Sequence, residues 1–254
     1  MNHALQQAMM QAGETAESLA ARVGVDPKTA GRWVSPGRTP RPRCRAAVAA
    51  ILEREVADLW PSAVRGEPDW LRDWVDWERE ATAIRWYEPA YVPGILQTEA
   101  YARATLADGL LLPDEIEQRV HSRLKRQEIL DRDDPPLLLA VLDVMVLRRP
   151  VHGHPGVMRE QVEHLARMAE LPYVQILVVP EDAGIYPGLQ GGFILATLRD
   201  GSSVAHLDHQ VDAQVVSTPD RIATLQRVWE IIRGEALSRR QSLDLIKEAA
   251  QTWT

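Results

Sequence analysis

Gly24 is the residue that most limits what this chain can fold into. It sits within AESLAARVGVDPKTAGRWVS (Ala16–Ser35), between two short runs whose apolar residues recur at helical spacing. Leu19, Ala20 and Val23 form the inner face of the first run, and Ala30 and Trp33 resume the spacing three residues apart. Gly24 supplies the positive φ that a tight inter-helical turn needs. Ala20 is small enough for the two helices to cross closely. Asp26 is expected as an N-cap with Pro27 at the first helical position, so the second helix has a defined start.

Two helices at this spacing form a helix-turn-helix, whose second helix lies in the major groove of DNA. Its outward positions are Lys28, Thr29, Gly31 and Arg32. Lysine and arginine donate to guanine, and threonine contacts base edges or phosphate. Gly31 offers no side chain and weakens the helix by about 1 kcal/mol relative to Ala. Arg38, Arg41, Arg43 and Arg45 follow in SPGRTPRPRCR, with Pro36, Pro40 and Pro42 among them. The prolines predict an extended loop from which these arginines reach phosphates. A plain helical hairpin with a glycine turn fits the same spacing, but the adjoining arginines favour DNA.

With these residues in view, positions 1–61 resemble the lambda-repressor-like helix-turn-helix domain of many actinobacterial regulators. The segment Arg32–Pro61, RWVSPGRTPRPRCRAAVAAILEREVADLWP, carries the likeness. The resemblance implies a five-helix bundle, with helices near His3–Gln11, Glu17–Val23, Pro27–Val34, Arg43–Leu52 and Val56–Trp60. Charge is divided in the way such a protein needs. Residues 1–64 carry eight Lys/Arg against six Asp/Glu, whereas residues 65–254 carry 21 against 30. An acidic body with one basic patch meets double-stranded DNA by that patch and repels it elsewhere. The lone Cys44 excludes an internal disulfide and fits a reducing cytoplasm. Between Arg43 and Arg45 it reads either as a packed residue or as a redox-sensing thiolate. No signal peptide is read at the start, and Leu137–Leu147 is too short to span a membrane and contains Asp143. The expected setting is cytoplasmic, on the nucleoid.

The chain changes character after Trp60-Pro61. Ser62–Pro68 reads as a linker, which separates a DNA-binding domain (1–64) from a second domain (65–254). Asp69–Thr82 is expected to be helical, with Trp70, Trp74 and Trp77 on one face that belongs to a core or to a dimer seam. Ile84–Val92 is strand-like, and its Pro89 suggests an edge strand or a kinked entry to a turn. Further on, Gln97–Leu106, Pro113–Leu130 and His154–Leu171 read as helices; Leu137–Leu142 and Tyr173–Val179 read as strands. Gly192–Leu198 and Ser203–Leu207 flank Arg199-Asp200-Gly201 as a hairpin. Thr218–Arg233 is expected to end at Gly234 as a C-cap, and Ser238 to cap a last helix that reaches Gln251. The fold class is therefore α+β: a five-helix helix-turn-helix bundle followed by a mixed α+β domain with a small sheet.

This second part is similar to an uncharacterised domain that follows such a helix-turn-helix in many actinobacterial proteins. The matching blocks are Trp77–Ala104, Val146–Pro150, Val157–Leu171, Val178–Leu195 and the C-terminal pattern from Ala205. The resemblance implies a regulator of development or secondary metabolism, often partnered by a small protein encoded nearby, and no reaction. No phosphate-binding glycine loop, nucleophile elbow or zinc pattern occurs, so neither an enzyme nor a cofactor is expected. His152 with His154, and His206 with Asp208 and His209, lack a third convergent ligand, so no metal is expected either. Arg85, Tyr87, Glu88, Tyr91, Gln97, Tyr101 and Arg103 gather around the Pro93-Gly94 turn. They read as an effector- or partner-binding cluster, or as a network that holds the turn. The sequence thus points to a sequence-specific DNA-binding transcriptional regulator, homodimeric through its second domain. Two rivals stay open: an antitoxin-like autoregulator that neutralises a small partner, and an enzyme with a DNA-binding tether.

Overall fold

The computed structural model describes residues 2–35, 40, 42–54, 56–60, 69–107, 111–151, 154, 156–208 and 213–253. In chain order, α1 (His3–Gln11), α2 (Ala16–Val23), α3 (Pro27–Arg32), α4 (Pro42–Leu52), α5 (Val56–Leu59) and α6 (Asp69–Glu80) come first. They are followed by β1 (Ala81–Glu88), α7 (Glu99–Ala107), α8 (Pro113–Gln127), β2 (Leu137–Asp143), α9 (Met145–Arg148), α10 (Val157–Met168) and β3 (Val174–Val179). The chain then runs through β4 (Phe193–Leu198), β5 (Ser203–Asp208), β6 (Ala213–Val216), α11 (Pro219–Glu235) and α12 (Arg239–Thr252). The fold is mixed α+β, and its strands lie in the order β3-β2-β1-β4-β5-β6. By compactness the chain forms two units, Met1–Glu80 with Leu195–Gln226, and Ala81–Ile194 with Arg227–Thr254.

In the first unit, α1 to α5 share one core built from Leu5, Leu19, Ala20, Ala30, Trp33, Val48, Leu52 and Leu59. Local chemistry sets the helix ends. Asn2 accepts from the Leu5 amide at 3.0 Å and donates to the Leu59 carbonyl at 2.6 Å, which ties the start of α1 to the end of α5. Thr15 and Ser18 form a reciprocal capping box on α2. Gly24 ends α2 at φ 77°, and both its amide and that of Val25 donate to the Ala20 carbonyl. Asp26 caps α3, with Pro27 behind it.

Two alternatives left open for this unit are decided. Pro42 starts a helix, as the resemblance implied from Arg43, and does not prolong the extended loop that the prolines suggested, so Arg43 and Arg45 stand on α4, where a two-residue step turns them to different sides. Trp74 and Trp77 are fully buried within the unit, Trp74 with its ring 5.2 Å from that of His206. Side chains already covered by their own fold offer no seam to a second copy. The side chain of Trp70 and the linker residues 62–68 lie outside the described residues.

The second unit is organised by parallel pairing of β1 with β2 and of β2 with β3. The crossovers α7–α8 and α9–α10 link these strands, as parallel pairing requires. β1 has neighbours on both sides, so it is not an edge strand; it stops at Glu88, and Pro89 falls beyond it. Gly234 does not end a helix, since α11 continues to Glu235 and Gly234 has no positive φ. Ser238 does cap α12, in a capping box with Gln241. The Leu237 amide donates to the Val178 carbonyl, and the Val178 amide donates to Ser242 Oγ, so α12 is stitched to β3. β5 and β6 fall in the first unit, and β6, paired antiparallel with β5, had no clear signal in the sequence.

Ala20 is wholly buried where α2 meets the core. Ala20→Leu is expected to overpack this site and lower stability by about 1–3 kcal/mol. A shift of the urea midpoint at constant slope is the measurement that checks it.

Candidate functional site

Two arrangements stand out, one in each unit. In the first, Lys28, Thr29 and Arg32 on α3 are exposed, while Ala30 and Trp33 behind them are buried. A short helix is thus held by its inner face and presents a polar outer one. Arg43 is also exposed, and its Nε lies 3.3 Å from Asp200 Oδ2. Arg45 does not join this surface. Its side chain is 4% exposed and its guanidinium sits 3.7 Å from Asp76, so no phosphate reaches it. Arg38 and Arg41 lie outside the described residues.

In the second unit, the residues expected around Pro93-Gly94 are divided among three tasks. Gln97 and Tyr101 hold the turn itself. The Gln97 amide nitrogen donates to the Val92 carbonyl at 2.7 Å, while its oxygen accepts from Arg123 at 2.8 Å. Tyr101 Oη accepts from the Val92 amide. Gln161 reaches in from α10, accepting from the Thr98 amide and donating to the Leu96 carbonyl. This network is the one that simply secures the turn. Arg103 is engaged on the surface by Glu99 and Glu117, and Tyr91 is exposed. Arg85 is half-buried in β1.

Tyr87 and Glu88 belong elsewhere, to a cluster at the carboxyl ends of the parallel strands. Asp143, the last residue of β2, accepts from the Met145 amide at 2.8 Å through Oδ1 and from Tyr186 Oη at 2.6 Å through Oδ2. Tyr186 Oη is also 2.8 Å from Tyr87 Oη. Because the Tyr186 proton is committed to Asp143, Tyr87 is the donor to Tyr186. All three side chains are buried. The rings of Tyr87 and Tyr186 meet edge to face at 6.3 Å, and Phe193 packs on Tyr87 at 6.0 Å. Gly188 closes the contact, since a side chain there would overlap the Tyr87 hydroxyl and the Tyr186 ring. Gly192 likewise lies against Glu88, where a Cβ would stand 2.9 Å from Oε2. Glu88 Oε1 accepts from Trp86 Nε1 at 3.0 Å.

Residues 71–248 match the family described as Domain of unknown function (DUF5753). The chain belongs to that family. No curated protein and no solved structure matches it.

The Asp143–Tyr186–Tyr87 cluster lies inside the DUF5753 domain, and sequence reading missed Asp143 and Tyr186. One signal was present, an acid closing the apolar run LLLAVLD (Leu137–Asp143). An acidic residue at that point of a buried strand has to find a donor. Tyr186 is 43 residues away from it, and nothing local links the two. Among the described residues of the DUF5753 domain, no group of three His, Cys, Asp or Glu converges as a metal site. His152 and His209 lie outside the described residues. No described helix is long and apolar enough to cross a membrane.

Burial dominates the acidity of these phenols. It pushes the Tyr87 hydroxyl up to about 12, against the lowering effect of the Tyr186 hydroxyl and with help from the negative charges of Asp143 and Glu88. Tyr186 is raised further, first by burial and then by the bond it donates to Asp143. Burial also raises Tyr101. A phenol whose folded pKa exceeds its unfolded value near 10 stabilises the fold fully below pH 10. That contribution is lost as pH rises through the folded value. The DUF5753 domain is therefore expected to lose stability steeply from pH 10 to pH 12. Absorbance at 295 nm should show Tyr87, Tyr101 and Tyr186 ionising together with unfolding instead of before it.

Proposed function

We propose that this protein is a sequence-specific, DNA-binding transcriptional regulator whose DUF5753 domain takes a small effector or a small partner protein. α2, the Gly24 turn and α3 serve as a helix-turn-helix within a five-helix bundle. The observation that carries this reading is α3 itself, capped by Asp26 and anchored by Ala30 and Trp33, with Lys28, Thr29 and Arg32 facing outward. Side chains presented in this way from a short, fixed helix suit base-edge readout in the major groove. Arg43, exposed on α4, suits a phosphate. The net charge of −7 confines favourable DNA contact to this basic stretch. The setting that follows is the cytoplasm and its nucleoid, and the reading assigns no reaction.

Two measurements test the proposal. Genomic fragments selected by the purified protein should share one sequence. On that sequence Arg32→Ala should cost about 1–3 kcal/mol and relax preference at one base pair. Arg43→Ala should weaken binding to all sequences alike and reduce the salt slope by about one unit. Equal losses on selected and random DNA in both variants would overturn these roles.

A homodimer belongs to the same proposal, because one α3 offers too few base contacts for specificity and two-fold symmetry supplies a second half-site. Sedimentation at micromolar concentration should show a particle of twice the 28.5 kDa chain mass. Trp74→Phe and Trp77→Phe should leave that particle intact, since both rings are internal.

A further inference from the structure

In sheets with parallel strands, ligands bind outside the carboxyl ends of those strands. Here β1, β2 and β3 step outward in sequence, and the next strand, β4, lies on the far side of β1. Tyr87 and Glu88 stand at the carboxyl end of β1, and Gly192, just before β4, lies against them. Residues 180–192, which join β3 to β4, lie on these strand ends and place Tyr186 there. We propose that Tyr186 is an internal stand-in for a small phenolic ligand, and that the site it fills is made by Asp143 and Tyr87, with Phe193 packed on Tyr87.

Three observations carry this. The first is chemical. Asp143 is a buried carboxylate at the end of a strand, and apart from a local amide its described partner is one phenol hydroxyl. The site thus already binds an aromatic ring bearing a hydroxyl, with that hydroxyl donating to Asp143 and accepting from Tyr87. The second is how lightly the segment is attached. Ile185, next to Tyr186, is 96% exposed and Leu189 is half exposed, so the neighbours of the plug add little burial. An exposed ion pair between Arg148 and Glu181 is a tie described near its start, and such pairs contribute little. Segments held by few buried contacts open at low cost. The third is the presence of swivels. Gly184 at φ 68° and Gly191 at φ 144° bracket the plug, both in backbone regions that other residues resist.

Electrostatics narrows the ligand class. Asp143 borders the site, so a ligand with a carboxylate or phosphate there would be repelled, while a neutral phenol would not. This inference deepens the effector role proposed above by naming its chemistry. It is measured without DNA, so its failure and the failure of the DNA-binding reading are separate results.

The experiment uses p-cresol, which is the tyrosine side chain as a free molecule, with toluene and 4-hydroxybenzoate as controls. Calorimetry and amide hydrogen exchange are run on the full chain. Wild type should bind p-cresol, and exchange should rise across residues 181–192 as the plug leaves. Toluene, which lacks the donor, and 4-hydroxybenzoate, which is charged, should bind at least tenfold more weakly. Tyr186→Ala should bind p-cresol at least tenfold more tightly than wild type, and adding Asp143→Asn should remove most of that gain. Asn keeps an oxygen for the Met145 amide, and thermal melting checks that each variant folds. Binding to Tyr186→Ala alone, with no change of exchange in wild type, would overturn the proposal, because the plug would then be permanent. Equal binding of toluene and p-cresol would overturn it as well.

Discussion

Parallel pairing of β1, β2 and β3 is the constraint from which the second unit follows. Parallel strands cannot be joined by tight turns, so each step must leave the sheet, cross it and return. The chain meets this with α7–α8 and then α9–α10, and β2 and β3 are apolar almost throughout. A second consequence is geometric. Parallel strands end on the same side, so Tyr87 and Glu88 of β1 and Asp143 of β2 emerge at one edge although they are far apart in the chain. A carboxylate delivered to that edge is buried and needs a donor. The segment that returns from β3 supplies Tyr186, and with it the cluster is complete. Small residues complete the fit, since only glycine leaves room for the Tyr87 hydroxyl at position 188.

The first unit rests on a different economy, one of local signals. Asn2, Thr15, Asp26 and Gly24 each define a helix end with a bond or dihedral that their own chemistry favours. Helices this short are marginal alone, and the shared core of Leu5, Leu19, Trp33, Val48 and Leu59 holds them together. The polar face of α3 is what remains when Ala30 and Trp33 have been buried. The arginines after it show how much depends on backbone state. In an extended loop all of them would reach outward. On a helix, residues two apart point in nearly opposite directions, and Arg45 is turned inward toward Asp76 while Arg43 stays in solvent.

What the sequence by itself determined was local. The turn at Gly24, the caps at Asp26 and Ser238 and the hairpin at Asp200-Gly201 could be read because each rests on residues within a turn or two of one another, whereas the ranges of α1 to α5 came from the family resemblance. The mixed α+β character was legible for the same reason, since apolar periodicity is a local property. Tertiary structure decided what depends on distant partners. It placed β1 inside the sheet, buried Trp74 and Trp77 instead of leaving them for a seam, and divided Gln97 and Tyr101 from Tyr87 and Glu88. It also brought Tyr186 to Asp143. A hydrogen bond between residues 43 apart leaves no periodic trace in either segment, and only the pairing of parallel strands puts its two ends together.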